Sequence, residues 1–345
     1  MSYKKMHFQS TNNQGYPVDD MPNFETQSLP GYIDGVQVLQ MAKPERVQID
    51  SISDVVYSQV KKLTDNTLLK MSLLIPRTDQ PKPAILFFPG GGFTTSERGK
   101  LLELRLALAQ AGFVVASAEY RVVPDVFPAP VIDGKTAVRF LRANAKEFGI
   151  DVTRVGVLGN SAGGWLASML GTTNQITEFD QGWFSEHTSD VQAAATLYGI
   201  SNLLNIGEGY EGKHYRTHLQ DNVTEALLVN GVAFSDHLGG TINSDKAKAL
   251  YASPMGHIRP GLPPFLIMHG SQDTLVSPVQ SSQLYQTLQE DGVPADYYLI
   301  EGAEHGDLSW YQDSVIQLVV NWFLKTLVAD YNKPDDSHPA DSASL

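Results

Sequence analysis

Chemistry-bearing residues cluster first at Gly159-Asn160-Ser161-Ala162-Gly163, where a serine stands between two glycines. A run of five mostly apolar, β-favouring residues leads into it, and a helix-forming run leaves it at once. G-x-S-x-G at such a strand-to-helix corner is a nucleophile elbow, with the serine exposed on a sharp turn and helix N–H groups behind it. A serine hydroxyl is a weak nucleophile at neutral pH, so it needs a base, and the base needs an orienting carboxylate. An elbow of this kind is followed along the chain by Asp or Glu and then by His. The segments "HGSQDTLVSP" and "EGAEHGDLSW" supply Asp273 and His305, each five residues past a strand end, at Met268 and Ile300. The expected roles are Ser161 as nucleophile, His305 as base and Asp273 as the acid that orients it. Glu301 and Glu304 are the alternative acids, and Asp273 read conservatively is a helix cap, which "DTLVSPVQ" would suit.

Acyl transfer also needs donors for the charge that develops on the carbonyl oxygen. "FFPGGGF" ends a strand with three consecutive glycines, whose backbone can approach a ligand closely. The N–H groups of Gly91, Gly92 and Ala162 are the expected oxyanion donors; the plainer reading of the glycines is a flexible linker.

These residues must be held by a scaffold, and the hydrophobic pattern describes one. Strands are expected at Asp54–Val60, Leu68–Pro76 and Pro83–Pro89, the last continuously apolar as in a strand buried on both faces. Helices at Lys100–Gly112 and Gly134–Gly149 then alternate with strands at Phe113–Tyr120, Arg154–Gly159 and Gln192–Gly199. In the second helix, Ala137, Phe140, Leu141 and Ala145 fall at helical spacing. "PPFLIMHG", "QSSQLYQTLQEDG", "ADYYLIEG" and "SVIQLVVNWFLKTL" complete the alternation. The expected fold class is α/β, with a mostly parallel central sheet and helices on both faces. Residues 51–330 form the expected catalytic domain. The alternation fails at about 200–262, read as an inserted cap. Residues 1–50, punctuated by Pro17, Pro22, Pro30 and Pro44, are read as an extended arm and 331–345 as a disordered tail.

The bulk numbers narrow the function classes. Of 345 residues, 42% are hydrophobic, enough for a large core. A formal net charge of −13 disfavours nucleic acid and anionic membrane surfaces as partners. There is no cysteine, which excludes disulfides and thiolate chemistry. The start has two lysines but no apolar stretch after them, and no run is long enough to span a membrane, so a cytoplasmic location is expected. A long polar arm could exchange with a neighbouring copy, leaving a homo-oligomer open.

Other signals receive structural readings. His214 and His218 have i, i+4 spacing, but Tyr215 stands where a zinc protease would carry glutamate, and no third ligand is evident. No metal and no cofactor is expected. Trp183, Phe184, Tyr198 and Tyr210 could line an acyl pocket or form the core of the cap. Tyr120, Arg121 and Asp133 read as braces for the loop behind the nucleophile. No phosphate-binding glycine loop follows any strand.

Together "PGGGF", "EYRVVPDVFPAPVIDGKTAVRFLRAN", "GVLGNSAGGWLA", "HGSQDTLVSP" and "EGAEHG" resemble the α/β-hydrolase superfamily. They are most similar to its esterase/lipase branch, around hormone-sensitive-lipase-like carboxylesterases and bacterial acetylxylan or feruloyl esterases. The resemblance runs from about Leu68 to Leu327. It implies an α/β-hydrolase fold, Ser161, Asp273 and His305 as a triad, and Gly91, Gly92 and Ala162 as the oxyanion hole. The implied substrate is a small carboxylic ester, of short-acyl, hydroxycinnamoyl or carbohydrate type, cleaved through an acyl-enzyme. Two positions depart from the pattern: Pro89 stands where hormone-sensitive-lipase relatives carry histidine, and Asn160 where Asp or Glu is frequent. An amide-directed hydrolase, such as a formamidase or exopeptidase, would use the same triad. A binding protein that kept the fold and lost the chemistry is the alternative outside enzymes.

Overall fold

The computed structural model describes residues 29–39, 46–62 and 64–328. Most of the expected arm and all of the expected tail lie outside the described residues. The chain divides into two units at Gln48/Ile49. In the first, the described stretch carries two turns, closed by Tyr32 N–H on the Leu29 carbonyl (2.9 Å) and Val36 N–H on the Ile33 carbonyl (3.1 Å).

The second unit is built on one eight-stranded sheet. Its strands are β1 (Ile49–Lys61), β2 (Asn66–Pro76), β3 (Lys82–Phe88), β4 (Val114–Ala118), β5 (Ile150–Asn160), β6 (Ala193–Leu197), β7 (Phe265–Gly270) and β8 (Ala295–Ile300), in spatial order β1-β2-β4-β3-β5-β6-β7-β8. The pairs β1–β2 and β2–β4 are antiparallel and the other five are parallel. β3, β4, β6 and β7 are buried along their whole length, as continuous apolar runs require. Alternate residues feed two cores. Leu86, Phe88, Phe265 and Ile267 point into one, with Trp165 and Leu288; Ile85, Phe87, Leu266 and Met268 point into the other, with Leu108 and Phe323.

Helices cover both faces: α1 (Leu102–Gln110), α2 (Ala129–Ala143), α3 (Ala145–Phe148), α4 (Ala162–Thr172), α8 (Val279–Glu290) and α9 (Asp313–Leu327). Between β6 and β7, where the alternation fails in the sequence, lie the short helices α5 (Gly212–Thr217), α6 (Thr224–Asn230) and α7 (Lys246–Tyr251) and two 3₁₀ turns, at Leu203–Asn205 and Pro254–His257. No helix among the described residues is long and apolar enough to cross a membrane.

Several elements depart from their expected bounds, the second helix at both ends. The helix expected at Gly134–Gly149 begins at Ala129, because prolines at its start fit first-turn positions, where no N–H is required. It breaks at Asn144, so Ala145 opens α3 instead of continuing the stripe. Its polar residues are buried too. Lys135, Arg139 and Arg142, one turn apart, donate to the carbonyls of Thr173, Trp183, Thr188 and Asp190. These bonds satisfy the backbone of the irregular 173–192 excursion that no ladder could serve.

The topology sets the site. β4 lies on one side of β3 and β5 on the other, so the chain switches direction across the sheet at the β3/β5 boundary. Open α/β sheets place ligands in the crevice at such a point, beyond the carboxyl ends of the strands. Phe88 pairs with Gly159, which sets the glycine turn after β3 directly beside the elbow after β5. Asn160 pairs with Leu197, Leu197 with Met268 and Gly270 with Ile300, so the loops after β7 and β8 emerge at the same edge.

Candidate active site

Ser161 sits between β5 and α4 with φ 54° and ψ −125°, a backbone conformation costly for any residue with a side chain. Its N–H donates to the Leu197 carbonyl (2.9 Å), and its carbonyl accepts from Trp165 N–H (3.0 Å). The flanking glycines are required by close approach. A methyl group on Gly159 would lie 2.0 Å from the Gly163 carbonyl oxygen, and one on Gly163 would lie 2.0 Å from that of Phe88. The corner therefore brings β3, β5 and α4 closer together than any Cβ allows.

His305 and Asp273 arrive from the loops after β8 and β7. His305 Nε2 lies 2.9 Å from Ser161 Oγ, and His305 Nδ1 lies 2.7 Å from Asp273 Oδ2. Nδ1 faces a carboxylate, so it carries the proton and Nε2 is left to accept one from the hydroxyl. The two loops are stitched together: Gln272 N–H donates to the Ala303 carbonyl (3.0 Å) and Gly302 N–H to Ser271 Oγ (2.8 Å). Of the alternative acids, Glu304 is turned toward Thr274 Oγ1 (3.3 Å), and Glu301 is exposed.

Asp273 is buried and serves two purposes. Oδ1 accepts from the N–H groups of Leu275 and Val276, both at 2.9 Å, which shapes the local turn. Helix α8 starts only at Val279, so Asp273 is no cap. Oδ2 is shared between His305 and a second imidazole, His269, whose Nε2 lies 3.2 Å away. Burial by itself would push this carboxyl up. Hydrogen bonds from His269 and His305 and the nearby Val276 N–H outweigh burial and hold it well below the usual carboxylate range.

The glycine turn completes the arrangement. A methyl on Gly90 would lie 2.8 Å from Ser161 Cβ, so the turn runs against Ser161. No hydrogen bond among the described residues takes the N–H of Gly91, Gly92 or Ala162. Two of these donors lie in the turn that follows Gly90 and the third, on Ala162, adjoins Ser161 at the N-terminus of α4.

Asn160, noted in the sequence only as a departure, ties these parts together. Its Oδ1 accepts from Gly90 N–H (2.9 Å) and its Nδ2 donates to the Tyr198 hydroxyl (2.9 Å). The Tyr198 ring packs edge-on to His305, centroids 4.7 Å apart, and against Trp310 at 4.4 Å. Trp310 Nε1 donates to the Glu304 carbonyl (2.9 Å). Tyr120 donates from its hydroxyl to the Pro89 carbonyl (2.7 Å), and Arg121 pairs with Asp133 at 2.7 Å, both behind the turn.

The aromatic group separates. Tyr198 lies at the site and Tyr210 donates to the Asp273 carbonyl (2.7 Å). Phe184 packs on Phe140 at 5.6 Å, and Trp183 is exposed, its Nε1 3.4 Å from the Gln59 carbonyl; neither belongs to the 200–262 segment. His218 is paired with Glu225 (2.6 Å) and His214 reaches the Thr274 carbonyl (3.2 Å). Among the described residues no three His, Cys, Asp or Glu side chains form a metal-binding group. The sequence reading assigned no role to His269 or Lys100. The only sequence signal for His269 was its i, i+4 spacing to Asp273.

Comparison with known proteins agrees with this architecture. The BD-FAE family matches residues 71–288. Probable carboxylic ester hydrolase LipM of Mycobacterium tuberculosis is 31% identical over 264 residues, 75% of this chain and 57% of LipM. The chain spans about half the length of the curated relatives it matches, 57%, 53% and 50% for LipM and the esterases LipC and LipQ. Among solved structures, a truncated carbohydrate esterase from gut microbiota aligns with TM-score 0.69 and 21% identity, over 82% of this chain and 98% of that one. A butyrate-bound esterase, Est2 of Thermogutta terrifontis, aligns with TM-score 0.62 and 24% identity, over 83% and 96%. The fold is that of the α/β-hydrolases, and the chain belongs to the BD-FAE family.

Proposed function

We propose that this BD-FAE family member hydrolyses small carboxylic esters, of short-acyl, hydroxycinnamoyl or carbohydrate type, through an acyl-enzyme on Ser161. The observation that carries the proposal is the unbroken contact line from Asp273 through His305 to Ser161 Oγ, beside a turn with uncommitted N–H groups. The family and the ester-hydrolase relatives support the same reading.

As Ser161 Oγ bonds to the ester carbonyl carbon, its proton passes to His305 Nε2 and the carbonyl π pair moves onto oxygen. Gly91, Gly92 and Ala162 donate to that oxyanion. Asp273 keeps the His305 proton on Nδ1 and stabilises the imidazolium. Collapse of the adduct breaks the C–O bond, and the leaving alkoxide takes the proton from His305. Water then repeats both steps on the acyl-serine, releasing the acid and restoring neutral His305.

The segment at about 200–262 serves in this proposal as the cover of the site. Tyr210 and His214 support that role by reaching the carbonyls of Asp273 and Thr274.

The test is a panel of p-nitrophenyl acetate, butyrate and octanoate, methyl ferulate and acetylated xylan, with Ser161→Ala as blank. Turnover abolished by the substitution is expected, and the profile selects the ester class. Silence across the panel from folded protein, with no fluorophosphonate labelling of Ser161, would overturn the proposal. Labelling without ester turnover would point to amide substrates.

A further inference from the structure

We infer that Lys100 is a positioning residue for the oxyanion hole, acting through the Gly90–Gly91 peptide. The inference rests on the esterase reading above. From Pro89 to Gly91 every backbone polar group but one has a partner. The Pro89 carbonyl accepts from Tyr120, Gly90 N–H donates to Asn160, and the Gly90 carbonyl accepts from Lys100 Nζ at 2.7 Å. The Gly91 carbonyl accepts from the N–H groups of Thr94 and Thr95 (3.0 and 3.2 Å) and from Thr94 Oγ1 (2.9 Å). The Gly91 N–H alone is left over.

That N–H and the Gly90 carbonyl are two ends of one trans peptide, so they point in opposite directions. The ammonium on the oxygen end therefore turns the N–H end away from itself. A peptide between two glycines has the least steric resistance to rotation of any in a chain. A rotation by half a turn would exchange the donor for a carbonyl oxygen, repelling the oxyanion it should stabilise. Lys100 opposes that rotation. It also draws electron density toward the carbonyl oxygen through the amide resonance, which makes the Gly91 N–H a stronger donor. No carboxylate pairs with Lys100 among the described residues, so its charge is not neutralised by a partner. Its side chain is half-buried, where such a charge-assisted bond is less screened than at an open surface.

Lys100→Met keeps the apolar stem and removes the donor; Lys100→Arg restores a charged donor. With p-nitrophenyl acetate, Lys100→Met is expected to lower kcat by about 10- to 100-fold with KM within about twofold, less than outright loss of an oxyanion donor. Lys100→Arg should recover most of the loss. A short alkyl trifluoromethyl ketone, which adds Ser161 Oγ to place an oxyanion in the hole, should lose affinity in step with kcat/KM. A competing carboxylic acid product should not. Thermal melting checks that both variants fold. An unchanged kcat in Lys100→Met, or a loss confined to KM, would overturn the role of Lys100 while leaving the esterase intact. Wild-type protein with neither ester turnover nor ketone binding would overturn both.

Discussion

His269 Nε2 stands 3.2 Å from Asp273 Oδ2, the oxygen that also receives His305 Nδ1 at 2.7 Å. One carboxylate oxygen thus lies between two imidazoles, one at the site and one fully buried. His269 Nε2 also faces the Val276 carbonyl (2.9 Å), and Nδ1 meets Ser281 Oγ at 2.6 Å. With acceptors on its Nε2 side, the ring carries a proton there, and Nδ1 shares the other hydrogen bond with the serine hydroxyl.

Removing that ring should loosen Asp273. In His269→Leu the Val276 carbonyl and the Ser281 hydroxyl lose buried partners, at a cost of about 2–4 kcal/mol in stability. Ester turnover should fall on the order of tenfold, because Asp273 and hence His305 are less well held. His269→Gln, which restores a donor, should recover part of both. Denaturant unfolding and steady-state kinetics read the two effects. Loss of stability with unimpaired kcat would confine His269 to a structural role.

The depressed ionisation of Asp273 fixes a pH dependence. A carboxyl held below its unfolded value of about 3.9 contributes stability that is present above that pH and is lost as pH falls toward the folded value. The melting temperature of wild type should therefore exceed that of Asp273→Asn at neutral pH. The gap should narrow as pH drops below about 4. A gap that widened on acidification would mean that Asp273 is raised instead.

Strain at Ser161 gives a further stability test. Ser161 at φ 54°, ψ −125° occupies a region that glycine enters without steric cost. Ser161→Ala keeps the Cβ and the strain; Ser161→Gly removes both. The glycine variant is expected to be more stable than the alanine variant by about 1–2 kcal/mol in urea unfolding, with both inactive. Equal stabilities would show the corner to be unstrained.

Much of this molecule was legible from residue type. Continuous apolar runs marked β3 and β7, and the glycine-flanked serine marked the corner, because close backbone approach admits only glycine there. Asp273 and His305 were found by their distance from strand ends. What could not be read lies in side chains whose partners are remote in sequence. Lys100, the first residue of an expected helix, carries no sequence signal of its bond to the Gly90 carbonyl. Lys135, Arg139 and Arg142 are buried on the carbonyls of the 173–192 excursion, partners that nothing near them in the chain marks. α2 starts five residues ahead of the expected helix, among prolines that are favourable in a first turn.

Asn160 shows how one such side chain can be tested. It accepts from Gly90 N–H and donates to the Tyr198 hydroxyl, whose ring packs on His305. Burial pushes the Tyr198 phenol well above its usual range, so it stays a hydroxyl able to accept or donate. In Asn160→Asp the Gly90 contact survives, and the hydroxyl can reverse its role and donate to the carboxylate. The added buried charge is then offset in part by two hydrogen bonds, and ester turnover is expected to stay within about tenfold of wild type. Asn160→Leu, which keeps the branching at Cγ, strands both Gly90 N–H and the Tyr198 hydroxyl. It should cost about 2–4 kcal/mol and reduce turnover on the order of 100-fold, because the turn after β3 loses its tie to the elbow. Tyr198→Phe, which keeps the ring on His305, should fall between the two. Kinetics on the three variants, with unfolding curves, would reject the tie if Asn160→Leu turned over ester as fast as Asn160→Asp.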